Sequence, residues 1–118
     1  MLDIIRESVL AGADAVILRE KDLNSDKIIP IAENIKKITE PQNVPLIINS
    51  NMEAALKINA EGFHTSYLNY MNGHFKFNGI LGVSVHSTLE AVKAQEKGAD
   101  YLQSAVDRYS QNTVKLEM

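Results

Sequence analysis

Apolar positions along the chain change period repeatedly, and each change marks a new element. Over residues 2–11, Leu2, Ile5, Val9 and Leu10 fall on one face of a short helix. Gly12 follows, where a left-handed residue commonly ends a helix. Residues 13–18, Ala-Asp-Ala-Val-Ile-Leu, form an apolar run of strand length, suited to a parallel strand covered on both faces. The polar group Arg19-Glu20-Lys21-Asp22 then predicts a loop. Asn24 or Ser25 can cap the next helix, which runs to about Ile38 through Ile28, Ile31, Ala32 and Ile35. Pro30 falls within its first turns, where proline is tolerated better than deeper inside.

The alternation recurs. Pro41 and Pro45 bracket a connector into a second strand at 44–49, and Ser50 is expected to cap a helix at about 51–59. Residues 61–64, Glu-Gly-Phe-His, predict a third, shorter strand, and the polar and aromatic stretch 65–79 predicts a long loop. A fourth strand is expected at 79–85, a helix at 88–97 capped by Ser87 or Thr88 and ended by Gly98, and a fifth strand at 99–103. The tail, 104–118, has moderate helical character and no clear assignment. Ala11-Gly12-Ala13-Asp14, Asn59-Ala60-Glu61-Gly62 and Lys97-Gly98-Ala99-Asp100 each precede a strand and form a weak internal repeat, as repeated βα units do. Strands alternating with helices imply a parallel α/β sheet with right-handed crossovers. On this pattern a barrel and a doubly wound open sheet are both possible.

Composition narrows the function classes. The 118 residues fit one α/β domain spanning 1–118, and 45% hydrophobic residues are enough for a core. A net charge of −3 with interspersed signs leaves no footprint for nucleic acid or an anionic membrane. The absence of cysteine excludes disulfides, thiolate metal sites and cysteine nucleophiles. No apolar run approaches membrane-spanning length, and the early acid argues against a signal peptide, so a cytoplasmic location is expected.

Parallel α/β folds carry their chemistry where strands end. Here those positions hold Arg19, Glu20 and Lys21, then Asn49, then His64, then Ser84 and His86. Cations, an amide and an imidazole on one rim could bind a phosphate or carboxylate, and an imidazole could move a proton near neutral pH. Blander roles are open for each: a solvated loop at 19–22, a hydrogen-bonded packing residue at His64, a contribution to the helix cap at His86. His64, His74 and His86 lack metal-ligand spacing, and no phosphate-loop, Gly-x-Gly-x-x-Gly or His-Glu-x-x-His motif occurs.

The order of segments is more specific. The stretch from Ala11 to Leu23 resembles the second barrel strand and diphosphate-contacting loop of thiamin phosphate synthases. Val44 to Asn49 resembles their next strand, and Glu61-Gly62-Phe63-His64 their Asp-Gly-Val-His step. Gly82-Val83-Ser84-Val85-His86-Ser87, continuing to Lys97-Gly98-Ala99-Asp100-Tyr101, is similar to their Gly-x-Ser-x-His-Ser segment. On these residues the chain is identified as a member of the thiamin phosphate synthase and TenI family. The resemblance implies a partial TIM-barrel-like fold of (β/α) units with about five strands. It also implies binding of a substrate's anionic end by Arg19 and Lys21, with Ser84 lining the same mouth, beside the rim candidates Asn49 and His64.

Synthases of this family join a pyrimidine diphosphate to a thiazole phosphate with magnesium held by carboxylates. The corresponding positions here are Ser50 and Asn69, and the usual glutamine is Ile17. Amides and hydroxyls supply no charge for magnesium, so no metal site or cofactor is expected unless synthase chemistry is retained. TenI-type relatives act as thiazole tautomerases, and their Ser-Val-His-Ser segment matches residues 84–87, which makes His86 the candidate acid/base. A catalytically degenerate binding or assembly module is the alternative. A full barrel takes about 250 residues, and an open set of parallel strands leaves unpaired edges and an exposed apolar face, so two chains are expected to pair as a homo-oligomer. The expected ligand is a small phosphorylated thiazole or pyrimidine.

Overall fold

The structure, a computed structural model, describes residues 2–19, 24–73 and 77–104, and the backbone of 113–117. Its elements follow the chain as α1 (Leu2–Leu10), β1 (Ala15–Arg19), α2 (Ser25–Thr39), a 3-10 turn (Glu40–Gln42), β2 (Leu46–Asn49) and α3 (Met52–Lys57). There follow β3 (Gly62–Ser66), α4 (Tyr67–Asn72), β4 (Ile80–Val85), α5 (Thr88–Lys97), β5 (Tyr101–Ser104) and β6 (Thr113–Glu117). Every strand pairing is parallel. Sheet order is β5-β4-β3-β2-β1-β6.

From β1 to β5 each strand lies beside its predecessor, without the reversal that defines a doubly wound sheet. That stepwise order decides between the two architectures left open by the alternation: the sheet is part of a (β/α) barrel. The helices pack on one face. Val16 and Leu18 of β1, Leu46 and Ile48 of β2 and Phe63 of β3 are buried against Ile5 and Val9 of α1, Ile28, Ala32 and Ile35 of α2, and Ala54 and Ala55 of α3. A second cluster joins Val83 and Val85 of β4 to Tyr70 of α4 and Ala94 of α5. Because side chains alternate along a strand, the odd-numbered positions of β1 and β2 and the even-numbered positions of β3 and β4 turn to the opposite, inner face.

Local signals explain most boundaries. The Asn24 side chain accepts a hydrogen bond from the Lys27 amide and starts α2, while the Ser87 hydroxyl does the same for Glu90 in α5. Gly12 (φ 103°) and Gly98 (φ 113°) end their helices in the left-handed region, as expected. Three expectations are corrected. Residues 65–79 are not one long loop, because Ser66 caps a helix through the Asn69 amide. The cap of α3 is Asn51, whose side chain accepts from the Ala54 amide, while Ser50 bends the chain at φ 70°. The tail, which carried no clear assignment, contributes a sixth strand, β6, beside β1, despite its moderate helical character. Among the described residues no helix is long and apolar enough to cross a membrane.

Two lysines tie loops to helices. Lys36 of α2 donates to the carbonyls of Ile58 (2.8 Å) and Asn59, closing the end of α3, and lies 3.5 Å from Glu61. Lys97 of α5 donates to the carbonyls of Tyr70 (2.6 Å), Met71 (3.2 Å) and Gly73 (3.1 Å), closing α4. Each ammonium thereby satisfies carbonyls that a short helix leaves without partners.

Candidate functional site

The parallel register arranges the inner face in rows. Ile17, Ile47, Gly62 and Ile80 form one row across β1 to β4. Two residues nearer the carboxyl ends, the next row is Arg19, Asn49, His64, Gly82 and Tyr101. Beyond it come Ser66, Ser84 and Gln103. The inner face thus changes from aliphatic to polar toward the rim at which (β/α) folds place their chemistry.

Arg19 and His64 stand two strand spacings apart in this row, about 10 Å, with Asn49 between them. Asn49 Oδ1 accepts from the Ser50 hydroxyl at 2.6 Å, and the Ser50 amide donates to the His64 carbonyl at 2.8 Å, so the β2 and β3 ends are tied together. His64 is 2% exposed. Its Nδ1 is 2.7 Å from the Tyr101 hydroxyl and its Nε2 is 2.7 Å from Ser84 Oγ. Both ring nitrogens are therefore partnered, and the hydroxyls lie on two further strands.

Gly82 makes the contact with Tyr101 possible. It faces Tyr101 across the β4–β5 register, and a Cβ there would lie 2.0 Å from Tyr101 Cζ and 2.3 Å from its hydroxyl. The tyrosine ring occupies the space of the missing side chain and reaches over β4 to the histidine on β3. A glycine within a strand often marks such a close approach.

His86 follows β4 at the rim and is in a different environment. Its side chain is 67% exposed, its Nδ1 lies 3.5 Å from Glu90 Oε1, and its amide donates to the same oxygen at 2.8 Å. Glu90 also gives its amide to the Ser87 hydroxyl. The resulting reciprocal cap holds the His86 backbone and places a carboxylate beside its imidazole.

The expected site residues Arg19, Asn49, His64 and Ser84 thus share one face, with a direct hydrogen bond between the last two. His86 stands at the rim, bonded to Glu90. Lys21 lies outside the described residues. Sequence reasoning missed Tyr101 and Glu90. The signal for Tyr101 was a glycine at an inward position of β4 with an aromatic at the inward start of β5, and for Glu90 the Ser87-x-x-Glu90 capping spacing.

Magnesium prefers several oxygen ligands, usually including carboxylates. Ser50 and Asn69, at the positions where the resemblance calls for acids, are exposed and neutral. Among the described residues no three His, Cys, Asp or Glu side chains cluster to hold a metal. The described residues therefore do not fit the magnesium of a synthase.

Comparison with known proteins agrees with this architecture. The family model described as thiamine monophosphate synthase (TMP-TENI) matches residues 1–106. The chain is 42% identical over 103 residues to a thiamine-phosphate synthase of Clostridium tetani, covering 84% of this chain and 49% of that protein. It is 39% identical over 107 residues to the thiamine-phosphate synthase of Clostridium botulinum strain Eklund 17B, covering 85% and 49%. The chain spans about half the length of the curated relatives it matches. A thiamine phosphate pyrophosphorylase from Pyrococcus furiosus is similar in structure, with a TM-score of 0.76 at 24% identity, over 96% of this chain and 57% of that one. At that identity the likeness concerns the fold.

Proposed function

Because this chain belongs to the thiamine monophosphate synthase family, we propose that it binds a phosphorylated thiazole on the inner face of its sheet and promotes magnesium-independent proton transfer there. The observation that carries the reading is the register row Arg19-Asn49-His64, with Ser84 hydrogen-bonded to His64. Arg19 supplies positive charge for the phosphate, Asn49 and Ser84 supply neutral hydrogen bonds, and the aliphatic row beneath supports the ring. The roughly 10 Å between Arg19 and His64 suits a flat ring with its phosphate at the Arg19 end and a second anionic oxygen, as of a carboxylate, at the His64 and Ser84 end. Lys21 adds a second cation in this proposal.

In the reaction, a tautomerisation, a proton leaves one atom of the heterocycle and another returns elsewhere, conserving atoms and charge. His86 takes and returns the proton. Glu90, whose Oε1 lies 3.5 Å from Nδ1 and accepts from the His86 amide, orients the ring. The full synthase reaction is not part of the proposal, since the described residues lack a carboxylate set for magnesium.

A binding module without chemistry is the second reading, favoured by the 67% exposure of the His86 side chain, which leaves the proposed base in water. Calorimetric titration with thiazole phosphate and proton NMR of thiazole tautomerisation separate the two. Binding abolished by Arg19→Gln together with turnover abolished by His86→Ala supports the enzyme. Binding with a rate equal to buffer leaves the module, and no binding by the wild type refutes both.

A further inference from the structure

The Tyr101-His64-Ser84 chain has a direction, and the direction decides what the site can bind. A neutral imidazole donates from one nitrogen and accepts at the other, whereas each neighbouring hydroxyl can do either. Two arrangements satisfy the 2.7 Å contacts at Nδ1 and Nε2. In one, the Tyr101 O–H donates to Nδ1, Nε2–H donates to Ser84 Oγ, and the Ser84 proton is left for a ligand. In the other every bond reverses, and Ser84 offers only lone pairs. The phenol is much more acidic than the serine hydroxyl and is the better donor, while the serine oxygen accepts readily. Chains of this kind also polarise one another along a single sense.

We infer that Tyr101 is a positioning residue: it holds His64 in the Nε2–H tautomer and so makes Ser84 a hydrogen-bond donor, selecting an oxyanion as the ligand at that point. Three strands build this arrangement. Gly82 leaves the space for the tyrosine ring, and burial of His64 shields the chain from exchange with solvent. Ser84 then complements Arg19 on the same face: with the phosphate at Arg19, it donates to an anionic oxygen at the other end of the ligand, which an acceptor-presenting serine would oppose. Only this last step rests on the ligand reading proposed above. The tautomer is a property of the protein without ligand.

Long-range proton–nitrogen correlation NMR of the full chain reads the tautomer directly. The expected wild-type spectrum near neutral pH shows His64 protonated at Nε2 and unprotonated at Nδ1. Tyr101→Phe removes the donor and should yield a mixed or reversed tautomer, whereas Ser84→Ala should leave the tautomer as in the wild type. Titration with inorganic phosphate should shift the Ser84 and Arg19 resonances, and Tyr101→Phe should weaken that binding about threefold to tenfold, the loss of one neutral hydrogen bond. A wild-type His64 protonated at Nδ1, or at both nitrogens, overturns the inference. So does a tautomer that reverses in Ser84→Ala and not in Tyr101→Phe. An Nε2–H wild type that responds as described to Tyr101→Phe but never to phosphate supports the positioning role and refutes the ligand reading instead.

Discussion

Substituting Gly82 with alanine should break the Tyr101–His64 contact without touching either residue. The new methyl would lie 2.0, 2.3 and 2.4 Å from Cζ, the hydroxyl and Cε1 of Tyr101. These atoms are the far end of a partly buried side chain, so the ring can swing outward and the backbone need not move. The penalty is therefore not that of overpacking a closed core. It is chiefly the loss of a hydrogen bond to a histidine that is 2% exposed, and a buried group left without its partner costs about 1–3 kcal/mol. Urea denaturation should show a lower midpoint with an unchanged slope, because the surface exposed on unfolding is the same. Tyr101→Phe should destabilise by a similar amount. The decisive assay is the double-mutant cycle. Once Gly82→Ala has displaced the ring, Tyr101→Phe has no hydrogen bond left to remove, so the double variant should match Gly82→Ala alone and the coupling should be about 1–3 kcal/mol. Additive single effects, or a Gly82→Ala protein as stable as the wild type, would refute the reasoning.

Leu18→Ala, at a fully buried position between β1 and the helices, should destabilise by about 2–5 kcal/mol in the same denaturation assay. Ser87→Ala removes the cap of α5, should lower stability by about 1 kcal/mol, and should also reduce the proposed turnover by loosening His86 and Glu90. The Tyr70 hydroxyl has its pKa raised above the ordinary 10.0 by burial, with the Asp100 carboxylate adding to the effect. The folded protein therefore keeps that proton when the unfolded chain loses it. Its contribution to stability is constant below about pH 9 and falls as pH rises past 10, by at most about 1.4 kcal/mol per pH unit. Tyr70→Phe should remove that part of the alkaline slope in a pH series of melting curves. We propose that two copies pair through Leu89 and Val92, 63% and 46% exposed on α5. Light scattering should then give twice 13.1 kDa, a Leu89→Lys, Val92→Lys variant should run as a monomer, and a wild-type monomer refutes the pairing.

The sequence by itself determined the repeating units of this protein. Apolar runs such as 13–18 and 44–49, interrupted by helix-period stretches with Asn24 or Ser87 at their starts, are local properties that need no distant contact. Gly12 and Gly98 ended their helices for an equally local reason, the absence of a Cβ. The positions of Arg19 and Asn49 at strand ends followed from the same pattern, whereas His64, expected to end its strand, falls in the middle of β3, and Ser84 lies one residue before the end of β4. Local signals also misled: the Asn, Gly and Tyr content of 65–79 suggested a loop, although Ser66 capped a helix held by Lys97, 24 residues or more away. The tail could not be assigned because β6 exists through its pairing with β1, about a hundred residues earlier.

Strand order and register belonged to the tertiary structure alone. Periodicity tells which face a residue takes, but not which strand lies beside it, and so could not separate a barrel from a doubly wound sheet. Register also set His64 level with Gly82 and Gly82 level with Tyr101. Tyr101 consequently reaches a histidine 37 residues away. Sequence names the residue types available for hydrogen bonding, but bonds of 2.7 Å form only where parallel strands bring the backbones into line.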